Sequence, residues 1–319
     1  MDRAFTPSLD LVPRVAAGET AAIARLMARA ESGSEEVRAA LGEVYRRAGR
    51  AHLIGVTGPP GSGKSTLVGR LIGRLRALDR RVAVVAVDPS SPYSGGAILG
   101  DRLRMNAHSE DPGVFIRSLA TGGAGGGLSR AALDLGDILD VAGFDAVIFE
   151  TVGTGQDEVD VARASHTTIV VSAPGLGDGI QAIKAGILEV ADVHVVSKTD
   201  RPDAAATLAD LAIMLDGQPS RPDGWRVPAL GVSSVTGDGL DALVETLDLH
   251  RTAFAGPAGE ARRTGIAAFR IARTADTLLR ERFAKLPSDG AERRVAARDL
   301  DPYAAAARRV RAFMGEDDV

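Results

Sequence analysis

The sequence predicts an α/β fold, a mostly parallel central sheet flanked by helices, with a helical segment at each end. Three observations predict it. Short, almost wholly apolar runs recur through the middle of the chain with helical stretches between them, which is the pattern of strands buried on both faces. A glycine-rich turn joins the first such run to a helix. From residue 251 onward the chain reads as helix without strands.

In chain order, residues from about 13 to 50 read as two helices, "ETAAIARLMARAES" and "SEEVRAALGEVYRRAG". Apolar residues fall at helical spacing in both, and Gly33 with Ser34 separates them as stop and cap. This defines an N-terminal helical segment, 1–50. The run "AHLIGVTG" then reads as a strand, "KSTLVGRLIGRLRAL" as a helix and "RRVAVVAVD" as a second strand. "DAVIFET" at 145–151, "HTTIVVSA" at 166–173, "ADVHVVSKTD" at 191–200 and "RVPALGVSS" at 226–234 complete a nucleotide-binding type of domain over 51–250. "TGGAGGG" at 121–127 reads as a mobile loop. The segment 251–319, rich in arginine and broken at Pro-Ser-Asp-Gly, reads as a separate helical extension. In parallel sheets, ligands gather outside the strands' C-terminal ends, and each motif below falls on a loop there.

A chain of 319 residues, 45% of them apolar, can bury a substantial core. A net charge of −4 argues against a protein whose main task is gripping nucleic acid. The absence of cysteine excludes disulfides, thiolate metal sites and cysteine nucleophiles. No signal core opens the sequence, and no window approaches the roughly 20 apolar residues of a membrane span. A cytoplasmic protein without membrane or nucleic-acid partners is the expectation. Of 38 basic residues only Lys64, Lys184, Lys198 and Lys285 are lysine, so a lysine here suggests a place that needs a slim point charge.

Gly58, Gly63, Lys64 and Ser65 match G-x-x-x-x-G-K-[ST] between a strand and a helix. In that pattern the stretch Gly58, Gly61, Ser62, Gly63, Lys64, Ser65, Thr66 wraps a polyphosphate. The glycines turn backbone N–H groups inward, the helix N-terminus adds partial positive charge, Lys64 reaches the β/γ-phosphates and Ser65 ligates Mg²⁺. A plain flexible turn is the duller explanation, disfavoured by the strand–helix context. These features make the domain a P-loop NTPase.

"VVSKTD" ends the fifth strand-like run. In P-loop GTPases the corresponding loop is N-K-x-D, whose aspartate accepts from guanine's ring N–H and amine. Asp200 takes that role here, with the stem of Lys198 along the base. Ser197 stands where asparagine is usual, which shortens one tether to neighbouring loops. The backbone of Ser233 and Ser234, in "VSSVTGDG", is placed to bond the guanine oxygen. An ordinary strand-end turn with a capping aspartate is the alternative. Asp88 and Glu150 end strands, and Asp101 lies thirteen residues beyond Asp88. Three carboxylates facing one edge suit a Mg²⁺–triphosphate site, as ligands or as holders of water; Asp101 also fits as a helix cap before "RLRMNAH".

Taken together, "GVTGPPGSGKST", "VAVDPSSPYSGGAILGDRLRM", "FIRSLATGGAGGG", "GFDAVIFETVGTGQDEVDVA", "GLGDGIQAIKAGILEVADVHVVSKTD" and the helical tail resemble the MeaB/ArgK GTPases, G-protein chaperones of adenosylcobalamin-dependent acyl-CoA mutases. The resemblance runs from about residue 10 to the end. It implies GTP hydrolysis to GDP and phosphate, with Lys64, Asp88, Asp101 and Glu150 as the catalytic set and Ser65, Asp88, Asp101 and Glu150 around Mg²⁺. Glu150 occupies the usual aspartate position of D-x-x-G, and Gly153 senses the γ-phosphate. Asp178, Gln181 and Lys184 resemble residues that relay nucleotide state to a mutase such as methylmalonyl-CoA mutase. The family gates cobalamin loading, protects or rescues its client, and pairs through its helical ends, so 251–319 is expected to be a homodimer arm. A nickel-insertion GTPase would be expected to bring cysteine or clustered histidine; here His52, His108, His166, His194 and His250 lie far apart in sequence. An ATP-dependent P-loop kinase would lack the lysine–aspartate base loop. A non-hydrolysing scaffold is a further alternative, since Gln156 is not identifiable as a catalytic glutamine.

Overall fold

The structure, a computed structural model, describes residues 5–88, 108, 110–120, 128, 130–151, 157–175, 189–217, 221 and 223–315, with Asp88, Ala120, Asp157 and Glu158 described by backbone alone. Seven strands form one sheet: β1 His52–Thr57, β2 Val82–Asp88, β3 Val114–Ala120, β4 Ala146–Thr151, β5 Thr167–Ser172, β6 Val193–Ser197 and β7 Ala229–Val232. Their order is β3-β2-β4-β1-β5-β6-β7, and every adjacent pair is parallel. β1 lies at the centre, in register with β4 (Val56 beside Glu150) and with β5 (Thr57 beside Val170).

Alternation along the strands explains why both faces are covered. Ala83, Val85, Val147 and Phe149 join one core, shared with α1 Ser8–Ala16, α2 Thr20–Ser32, α3 Val37–Arg47, α5 Arg130–Val141 and α6 Asp157–Ala164. Val82, Val84, Ala146 and Ile148 point to the other, filled by α4 Lys64–Arg76 and later by a helix from Leu240 to Ala255. A helix over Ala204–Asp216, α7, packs Leu211 on Val170 and Val196. We label Leu240–Ala255 α8, Glu260–Ala284 α9, Ala291–Ala296 α10 and Pro302–Met314 α11.

The structure adds two elements to those expected. The N-terminal segment holds three helices rather than two, because α1 forms despite Pro13. It is fixed from a distance, with Ser8 Oγ donating to Glu36 Oε2 at 2.6 Å. The edge strand β3 is only half-buried, and Arg117 within it pairs with Glu31 through two 2.8 Å bonds.

At the strands' N-terminal ends lies a buried polar network. Asp192, fully buried before β6, accepts from Thr168 N at 2.8 Å, Arg221 Nη1 at 2.9 Å and Arg262 Nη1 at 2.8 Å, and its Oδ2 forms an ion pair with Arg262 Nη2 at 2.7 Å. His250 Nε2 stands 3.4 Å from Asp192 Oδ1, and its Nδ1 is 2.7 Å from Thr167 Oγ1. The same hydroxyl is 2.6 Å from His52 Nε2, and His52 stacks on His166. Burial pushes the His52 imidazole well below its ordinary value and His166 down to about 4, with Arg251 among the charges adding to both shifts. For Asp192, burial works to raise the carboxyl, yet the hydrogen bond from His250 and the charges of Arg262, His250 and Arg221 hold it below the ordinary range.

Two compact units divide the chain, Met1–Arg270 and Ile271–Val319. In the second, Phe283 meets Phe313 at 5.9 Å, Arg309 lies over Phe283 and Arg282 over Phe313. None of its described residues is buried.

Candidate nucleotide site

β1 runs directly into the phosphate-loop motif. Gly58 has φ 141°, and a Cβ there would fall 2.1 Å from Val171 O, so the close pass beneath β5 admits glycine alone. Gly63, at φ 87°, caps α4 from the left-handed region. Lys64 and Ser65 open α4 and are both buried. Lys64 Nζ donates to Gly58 O at 2.7 Å and Pro59 O at 3.1 Å, which holds the ammonium across the loop. The first N–H groups of α4 face the same place, and the helix dipole adds to the positive potential. Ser62 is fully buried, and its Oγ has no hydrogen-bond partner among the described residues. This cradle of positive groups and one orphan hydroxyl fits an anion such as a phosphate chain.

The loop after β6 is fastened to the phosphate loop at two points. Ser197 Oγ donates to Ser62 O at 2.6 Å, and Lys198 Nζ donates to Gly61 O at 2.9 Å. The expected shortening of the Ser197 tether does not open a gap, because β6 comes close: a Cβ on Gly63 would be 3.6 Å from Ser197 Oγ. Lys198 sits at φ 58°, a left-handed conformation that costs a side-chain-bearing residue about 1 kcal/mol. Beyond it the exposed Asp200 accepts from Ser233 Oγ at 2.7 Å. That oxygen itself accepts from Val235 N and Thr236 N, each at 3.2 Å. Of the two residues expected to offer backbone to a base oxygen, Ser233 uses its amide within the turn, on Asp238 O at 3.0 Å.

On the other side, Glu150 is buried in β4, between Val56 of β1 and Ala86 of β2. By strand alternation it shares a face with Ala146 and Ile148, the face that α4 covers. Thr151 Oγ1 donates to Thr57 Oγ1 at 3.2 Å at the neighbouring strand ends. Asp88 ends β2 by its backbone. Asp101, Gly153, Asp178, Gln181, Lys184 and Gln156 lie outside the described residues. Thr66 is exposed on the first turn of α4. Arg70, one helical turn further on, donates from Nε to Ser234 O at 2.6 Å. Sequence reading passed over this residue, whose only local signal is its i, i+4 spacing from Thr66.

A profile of the family described as methylmalonyl Co-A mutase-associated GTPase MeaB matches residues 22–287. A protein of Pyrococcus horikoshii named as a GTPase is 42% identical over 311 residues, covering 94% of this chain and 96% of that one. GTPase ArgK of Escherichia coli is 42% identical over 193 residues, 59% of this chain and 58% of its own. The crystal structure of a LAO/AO transport system kinase superposes with a TM-score of 0.70 at 26% identity, covering 98% of this chain and 99% of that chain. The parallel sheet, the phosphate loop at its central strand and a family match over most of the sequence agree. The chain belongs to the MeaB family of methylmalonyl Co-A mutase-associated GTPases.

Proposed function

We propose that this GTPase is a guanine-nucleotide switch that gates cofactor loading into, and protects, an adenosylcobalamin-dependent acyl-CoA mutase such as methylmalonyl-CoA mutase. The observation that carries the nucleotide part is the pair of hydrogen bonds between base loop and phosphate loop, Ser197 to Ser62 and Lys198 to Gly61. A ligand spanning both loops meets them as one preassembled surface. Gly58, Gly61, Ser62, Gly63, Lys64, Ser65 and Thr66 hold the phosphates in this reading, while Lys198, Asp200 and the 233–234 backbone hold guanine. What supports the client reading is the family's description, with the resemblance of Asp178, Gln181 and Lys184 to the family's relay segment.

The donors fit Mg²⁺, which prefers hard oxygens and keeps several waters. Ser65 and Glu150, both buried at this edge, would hold it together with Asp88 and Asp101. Bound there, the ion neutralises charge on the triphosphate. Lys64 supplies a fixed positive charge beside the loop, and the buried surroundings of Glu150 limit competing water.

The second unit supports self-association. The described residues of this unit bury none of their side chains, too small a core to stabilise a segment of this length alone. Leu279 (55% exposed) and Met314 (63% exposed) offer apolar surface to a second copy. Sedimentation should show a dimer that Leu279→Asp converts to monomer.

The direct test is GTP turnover with and without a purified adenosylcobalamin-dependent mutase. Stimulation is expected, and Lys184→Ala should keep basal turnover while losing stimulation. A rate that no such mutase changes would remove the chaperone role and leave the GTPase intact.

A further inference from the structure

We infer that Arg70, on the helix that follows the phosphate loop, is a positioning residue for guanine: it pins the Ser234 peptide so that this residue can read the base oxygen. The inference rests on the guanine reading of the site and deepens it. Ser234 lies between two fixed carbonyls. On its N-terminal side, Ser233 O accepts from Gly237 N at 2.9 Å inside the turn. On its C-terminal side, Ser234 O accepts from Arg70 Nε at 2.6 Å, a bond that reaches across from α4. With the Ser233 amide engaged by Asp238 O, the Ser234 amide is the backbone donor left at this point of the turn to meet a base oxygen. The peptide plane that carries that amide and the one that follows it across the Ser234 Cα are therefore both held.

Arg70 is also the uppermost of three arginines that join this side of the molecule. Arg74 pairs with Asp241, and Arg80 pairs with Asp248 through two 2.7 Å bonds. Those lower two grip carboxylates of α8, Arg74 from α4 and Arg80 from the turn before β2. Arg70 alone among them grips a loop carbonyl, next to the residue that orients Asp200. The phosphate-loop helix thus carries its own support for the base loop, and Arg80 provides an internal control for mere packing.

The test compares GDP with 6-thio-GDP, which keeps both donors that face Asp200 but replaces the base oxygen by a poor acceptor. Wild type is expected to bind GDP the more tightly. Arg70→Gln should weaken GDP about fivefold and 6-thio-GDP less than twofold, as expected for one hydrogen bond acting through one ligand atom. Arg70→Lys, which keeps a donor for the carbonyl, should recover most of the loss. The ratio of GDP to IDP affinity, which reports on Asp200 through the exocyclic amine, should not move. Arg80→Gln should lower Tm and leave all ratios unchanged. Equal losses for GDP and 6-thio-GDP in Arg70→Gln, or no loss at all, would overturn the inference while the GTPase assignment stood. Failure of wild type to prefer GDP over ADP would overturn the guanine reading itself, and this inference with it.

Discussion

At the N-terminal ends of the strands, Asp192 is surrounded by two guanidinium groups, an imidazole and a backbone N–H, all turned on its carboxylate, and Arg262 Nε is the one atom of these groups buried without a hydrogen-bond partner among the described residues. At the C-terminal ends, Ser62 Oγ is buried without a partner among the described residues and Asp200 is exposed. Both ends are polar and both are tied by short bonds. They differ in what the polar groups are for. The first set surrounds its carboxylate with protein donors and stabilises the sheet. The second holds its loops in place and leaves chemistry for a ligand.

The sharpest way to break this contrast is Lys64→Ala. It should weaken GDP binding by on the order of a thousandfold, about 4 kcal/mol, with a Tm close to wild type; calorimetry and thermal melts check both. Asp192→Ala should do the reverse. Leaving Arg221, Arg262 and His250 without their carboxylate should cost about 3 to 4 kcal/mol in urea unfolding, with GDP affinity unchanged in the protein that stays folded.

Acid sharpens the contrast further. His166 titrates near 4 in the folded protein and near 6.5 unfolded, so the unfolded chain binds the extra proton first. The stability this neutral ring allows is intact above pH 6.5, falls as pH drops, and is fully lost below about 4. The change approaches roughly 3 kcal/mol, and stability curves of wild type and His166→Phe should diverge across that window. The smallest effect belongs to Ser197→Ala. Removing the tether to Ser62 O should cost about 1 kcal/mol of GDP affinity, roughly fivefold, with little change in Tm. A wild-type affinity in that variant would mean that Lys198 alone joins the two loops.

Much of the ligand end was legible because its chemistry is local in sequence. Gly58 to Thr66 is contiguous, and Lys198 and Asp200 sit together at a strand end. Six strands could be read because apolar runs such as "VAVVAVD" are buried on both faces. β3 escaped because "VFIRSLA" lies at the sheet's edge, where Arg117 pairs outward with Glu31. α1 escaped because Pro13 argues against helix, and its anchor, Glu36, is 28 residues away. The base network was illegible for the same reason on a larger scale. His52, His166 and His250 are far apart in sequence and meet only when β1, β5 and α8 are assembled. The signal that His52 and His166 share, a polar residue at or just before a strand start, has meaning only once the strands are known to be parallel and aligned, and His250 reaches them from a helix.

The polar chain at the strand starts has a direction. A carboxylate accepts only, so with one proton per ring His250 carries it on Nε2 toward Asp192, and its Nδ1 receives the Thr167 hydroxyl proton. Thr167 must then accept from His52 Nε2. Both rings are thereby committed to the same tautomer, and nitrogen-15 resonances of the histidines become a native gauge of whether that far end feels an event at the phosphate loop.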